Sequence, residues 1–154
     1  MRVLTVNAIS LCACLCFCGQ LVADDPSKGS KADATKLTGA YKIVAGEKNG
    51  QPVSKDRLDG ITVRIATNAI TTLDKDEKEV YVATYELDSS QKPWRIMMTA
   101  TVAPAEGKGT KAVGLIEMEG DTVKLIYALP AGKAPTQFKA GDKQQMFVLK
   151  RAGK

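Results

Sequence analysis

Residues 61–87 read ITVRIATNAITTLDKDEKEVYVATYEL, and the alternation inside this stretch decides the fold. Ile61, Val63 and Ile65 alternate with Thr62, Arg64 and Ala66, the period of two that places apolar side chains on one face of a β-strand. Asn68 permits a tight turn into a second run at 69–73. Asp74 to Asp76 supply another turn. The third run, 79–87, is β-branched and aromatic throughout, as strands prefer.

The same pattern extends in both directions. Upstream, residues 40–46 set Tyr41, Ile43 and Ala45 against Lys42, Val44 and Gly46, and Asn49-Gly50 is a strong turn signal. Residues 54–58 fit one helical turn, with Ser54 as N-cap and Arg57 and Leu58 turned toward the strands. Downstream, residues 93–102 carry Trp94, Ile96, Met98 and Ala100 on one face. Residues 111–118 and 122–129 form a hairpin about Glu119-Gly120-Asp121, 130–141 is a Pro/Gly-containing loop, and 144–151 is the last strand. No periodic helical segment of about ten residues follows the N-terminal apolar run, which excludes α/β schemes. About eight antiparallel strands must hide their edges, and closure into a barrel does so most completely. The expected fold is a single all-β, antiparallel, eight-stranded barrel over residues 37–152, with a β-sandwich as the alternative.

The N-terminus differs. Arg2 precedes an uncharged, mostly apolar run at 3–18, and the small residue Ala23 stands just before Asp24 and Asp25. One cation, roughly 15 apolar residues and a small residue form the pattern of a secretory signal peptide over 1–23. Residues 24–36 (DDPSKGSKADATK) read as a flexible tether. The expected location is therefore outside the cytoplasm: periplasmic, envelope-associated or extracellular. All four cysteines (12, 14, 16 and 18) lie in the apolar run, so a cleaved chain has none. Lipoprotein processing at Cys14 or Cys18 is a variant of this reading, which the residues before each cysteine fit poorly. Without Arg2 the net charge falls from +5 to +4, spread along the chain. With no dense basic cluster interleaved with aromatics, no nucleic-acid partner is expected. Contact with a membrane is expected only through the signal or a lipid anchor.

Histidine is absent from the whole chain, which removes the commonest general base and metal ligand together. Carboxylates remain at Asp56, Asp59, Asp74, Asp76, Glu117, Glu119 and Asp121, all at turns or outward strand positions where solvated charge is the ordinary reading. The acidic runs at 74–77 and 117–121 do not follow a calcium-loop pattern. The expectation is a protein that is not an enzyme, with no catalytic residue, metal or cofactor. Strand alternation sends Tyr85, Trp94, Ile96, Met98, Ile116, Met118, Leu125, Tyr127 and Phe147 to the interior. Either they wall a pocket for a small apolar ligand, or they pack against one another. So many large inward side chains weigh toward a filled interior.

A resemblance rests on LTGAYKIV (37–44), NGQPV (49–53), TYELD (84–88), KP (92–93), GKG (107–109), GDTVKL (120–125), APTQF (134–138) and LKR (149–151). In this order and spacing the chain resembles an uncharacterised lipocalin-like domain family that is expanded in planctomycete bacteria, usually in exported proteins. The resemblance implies a barrel and export, and no particular activity. It is also similar to true lipocalins in opening with Gly39-Ala40-Tyr41, where they have Gly-x-Trp. The likeness implies that Arg151, or Lys150, covers the Tyr41 ring at one end of the barrel. The leading functional expectation is an exported, non-enzymatic module that binds a small apolar ligand. The alternative is an envelope protein-interaction or structural module, or an inhibitor of an exported enzyme, whose partner is an envelope protein.

Overall fold

The computed structural model describes residues 33–104 and 107–153. The expected signal peptide (1–23) and the start of the expected tether (24–32) lie outside the described residues. Residues 33–37 are helical (α1). Then come β1 (Gly39–Lys48), β2 (Gln51–Pro52), a one-turn helix α2 (Lys55–Leu58), β3 (Thr62–Ile65) and β4 (Ala69–Leu73). The chain continues through β5 (Glu79–Asp88), β6 (Trp94–Val102), β7 (Lys111–Glu119), β8 (Thr122–Ala128) and β9 (Gln144–Arg151).

Strands β1 and β3 to β9 pair antiparallel in sequence order, and β9 returns to β1. The result is a closed eight-stranded barrel; β2 only extends the end of β1 through Glu47↔Pro52 and Lys48↔Gln51. Asn49 and Gly50 link β1 to β2 with φ of 54° and 75°, the left-handed pair that a two-residue hairpin turn requires.

The register stacks inward side chains in rows across β8, β9 and β1. Val123, Leu149 and Ile43 form one row, Leu125, Phe147 and Gly46 the next, and Tyr127, Gln145 and Lys48 the last. A bulge between Ile43 and Ala45 makes this alignment. It shifts the alternation by one residue, so Gly46 and Lys48 follow Ile43 on the inner side, where simple alternation predicts Ala45.

One end of the barrel is shut. Ala34 and Leu37 of α1 belong to the main apolar cluster, Leu37 with no exposed surface. The Tyr41 hydroxyl donates to the Leu37 carbonyl at 2.7 Å. Arg151 donates through Nη1 to Thr38 O at 2.8 Å and through Nη2 to Lys36 O at 3.0 Å. These carbonyls lie at and just beyond the C-terminus of α1, where the helix leaves acceptors without internal partners. The guanidinium also lies 5.0 Å from the centre of the Tyr41 ring. Gly39 makes room for it, because a Cβ there would collide with Arg151 Nη1. Residues 33–36 are thus part of the folded domain, which corrects their reading as tether.

A second apolar cluster lies on the outer wall. Leu115, Ile126 and Met146 face away from the barrel axis and are covered by Phe138 and Ala140 of the loop after β8. Glu47 fastens that loop by accepting the Ala140 N–H at 3.1 Å.

Candidate functional site

Opposite the shut end lies a cavity of about 520 Å³. Met98, Leu125, Phe147, Leu149, Ile43, Val63 and Ile70 make its apolar walls, and Val53, Leu58, Ile61, Val80 and Pro104 surround its mouth. Its volume falls in the range of pockets that hold small molecules. The expectation of a filled interior is therefore corrected. Thr72 puts a small side chain at an inward position of this wall, and the larger residues around it do not close the space.

Of the nine residues sent inward by alternation, four line this cavity: Met98, Leu125, Tyr127 and Phe147. The other five do not. Tyr85, Ile96 and Ile116 are buried in the main cluster, with Trp94 and Met118 packed against it. Trp94, Ile116 and Met118 also line a small surface recess of about 180 Å³ beside Lys92 and Pro93. The Tyr85 hydroxyl donates to Ala66 O at 2.7 Å, and burial pushes its pKa up to about 12. These five side chains build the solid half of the barrel. Alternation tells which face a residue is on, not how deep it sits along the axis.

The cavity is not uniformly apolar. Tyr127 donates to Gln145 Oε1 at 3.3 Å, and burial raises its pKa, with the nearby Tyr81 adding to the effect. Tyr127 is half-buried and lines the cavity. Tyr81 and Thr72, opposite each other on β5 and β4, complete the polar part of the wall. Lys48 from β1 and Arg57 from α2 stand at the mouth, both exposed to solvent. Among the described residues no aspartate or glutamate lines the cavity, and neither cation makes an ion pair. Arg57 and Leu58 were legible as turned toward the barrel. Lys48 was hidden by the bulge that brings it in.

None of the carboxylates weighed for acid–base chemistry lines this space. Asp74 accepts the Asp76 and Lys78 N–H groups at 2.9 and 3.0 Å, and Asp59 that of Gly60 at 3.1 Å. Glu119 accepts from Lys124 across the β7–β8 hairpin at 2.9 Å. These groups shape turns. On the outer wall, Met97 and Val113 oppose each other on β6 and β7, both exposed, over a recess of about 290 Å³. Comparison with protein-family models, curated proteins and solved structures finds no match to this chain.

Proposed function

We propose that this chain is an exported, lipocalin-like binding module that takes a small, largely apolar ligand into the open half of its barrel. The observation that carries the reading is the cavity of about 520 Å³, walled by Met98, Leu125 and Phe147. Closed barrels of eight strands have interiors just wide enough to be filled or to hold one small ligand, and this interior keeps space. Burying apolar ligand surface there is favourable by about 25 cal/mol per Å². The N-terminal pattern of Arg2, the apolar run and Ala23 supports a role outside the cytoplasm. Nothing in the reading calls for a chemical step.

The test uses N-phenyl-1-naphthylamine, an uncharged dye that brightens in apolar surroundings. The full chain is expected to bind it saturably. Ile43→Trp and Thr72→Trp, which fill the cavity from β1 and β4, should abolish binding in variants whose circular dichroism is unchanged. Met97→Ala, on the outer wall, should leave it intact. Equal brightening in the filled variants would defeat the proposal, and loss only in Met97→Ala would redirect attention to the outer recess.

A further inference from the structure

We infer that the ligand is an anionic amphiphile, a single apolar chain ending in a carboxylate or a group of like charge, held with its head at the cavity mouth. The inference rests on the carrier reading above and goes beyond it by assigning the head group.

The β8–β9–β1 wall is graded in polarity from depth to mouth. The two deeper rows, Val123–Leu149–Ile43 and Leu125–Phe147–Gly46, carry no polar side chain. The outermost row, Tyr127–Gln145–Lys48, is wholly polar. A ligand lying along the cavity therefore meets hydrocarbon first and polar groups last, which suits a molecule with one apolar and one polar end.

The polar end meets donors. Tyr127 already gives its hydrogen to Gln145 Oε1. The Gln145 amide N–H2 then remains as a donor with no acceptor among the described residues. Lys48 carries only donors, and so does Arg57. Tyr81, whose hydroxyl makes no hydrogen bond among the described residues, adds another donor lower on the wall. Asp56 and Asp59, the acids nearest Arg57 in sequence, are exposed and absent from the lining. Two cations and an amide, with no carboxylate in the lining among the described residues, leave a cationic head without a counter-charge and a neutral head without use for the field. An anion satisfies them. Arg57 can meet two carboxylate oxygens at once, while Lys48, on the same cavity lining, adds a point charge. Both sit in solvent, so each is worth up to about fivefold in affinity and the pair about tenfold or somewhat more, falling as salt is added.

The test is displacement of the naphthylamine dye from the full chain by dodecanoate, dodecanol and dodecylammonium, three ligands with one tail and different heads. Dodecanoate is expected to displace at about tenfold lower concentration than dodecanol, with dodecylammonium weakest. In Lys48→Gln/Arg57→Gln, carboxylate and alcohol should become equal, each read against that variant's own dye affinity. Lys48→Arg/Arg57→Lys, which keeps both charges, should retain the preference. Parity of dodecanoate and dodecanol in the native chain would overturn the inference and leave the carrier reading standing. A preference that survives in the neutralised variant would overturn it as well. Failure of the dye to bind at all would instead remove the carrier reading, and the inference with it.

Discussion

At Gly114 a single hydrogen in place of a side chain decides the shape of the wall. It sits opposite Tyr127 across β7 and β8. A Cβ there would collide with the Ile126 carbonyl and stand 3.0 Å from the Tyr127 Cβ. Gly114→Ala must therefore push β8 or the Tyr127 ring aside, an overpacking cost of about 1–3 kcal/mol. Urea denaturation should show that loss, and dye affinity should fall with it because Tyr127 lines the cavity. An unchanged midpoint together with unchanged binding would mean that the strands part freely here. Gly46 plays the matching part under Phe147, whose ring carbon would lie 3.1 Å from an added Cβ. Neither glycine announces itself in the amino-acid string, since only the cross-strand neighbour explains each.

Among the elements, α1 is the one that strand patterning hides. Its only apolar contacts are Ala34 and Leu37, three residues apart in an otherwise polar segment, and two such residues make no periodic signal. Most strands were legible from alternating apolar residues, β4 and β9 from their short apolar or β-branched runs between turn signals, and all eight barrel strands fall within a few residues of where these patterns put them. The exception within a strand is the β1 bulge, whose parity shift depends on pairing with β9. Since α1 closes one end, its contacts carry stability that belongs to the domain. Leu37→Ala should cost about 2–5 kcal/mol in urea denaturation. Arg151→Ala, losing two hydrogen bonds to carbonyls and the Tyr41 ring contact, should cost about 1–3 kcal/mol. Arg151→Lys should recover only part, because an ammonium cannot reproduce the planar fork. If all three variants unfolded like the parent, α1 would be an ornament on the barrel and not its stopper.

The molecule as a whole hides its tyrosines, and this sets its alkaline limit. Burial raises the pKa of all four, Tyr41, Tyr81, Tyr85 and Tyr127, with Tyr85 reaching about 12. In the unfolded chain they ionise near pH 10. Their contribution to stability is therefore complete below about pH 10 and is lost as pH rises through the higher folded values. Phenolate absorbance is expected to appear in one cooperative step, together with loss of near-ultraviolet circular dichroism. Gradual ionisation around pH 10 in a folded chain would contradict the burial. Sequence periodicity foretold a barrel of this strand number because alternation and short turns suffice for that. It did not foretell the hollow half, since emptiness depends on how side chains from different strands meet inside, and no single residue signals it. The seam between β1 and β9 has a further effect, on the order of events in folding. Tyr41 and Arg151, partners across that seam, are nearly at opposite ends of the domain, so a nascent chain emerging N-terminal first holds β1 long before β9 exists. Any product ending before Gln144 leaves β1 and β8 as bare edges. The ring is whole only when β9 arrives, so the barrel stays open along this seam until residues 144–151 have been made.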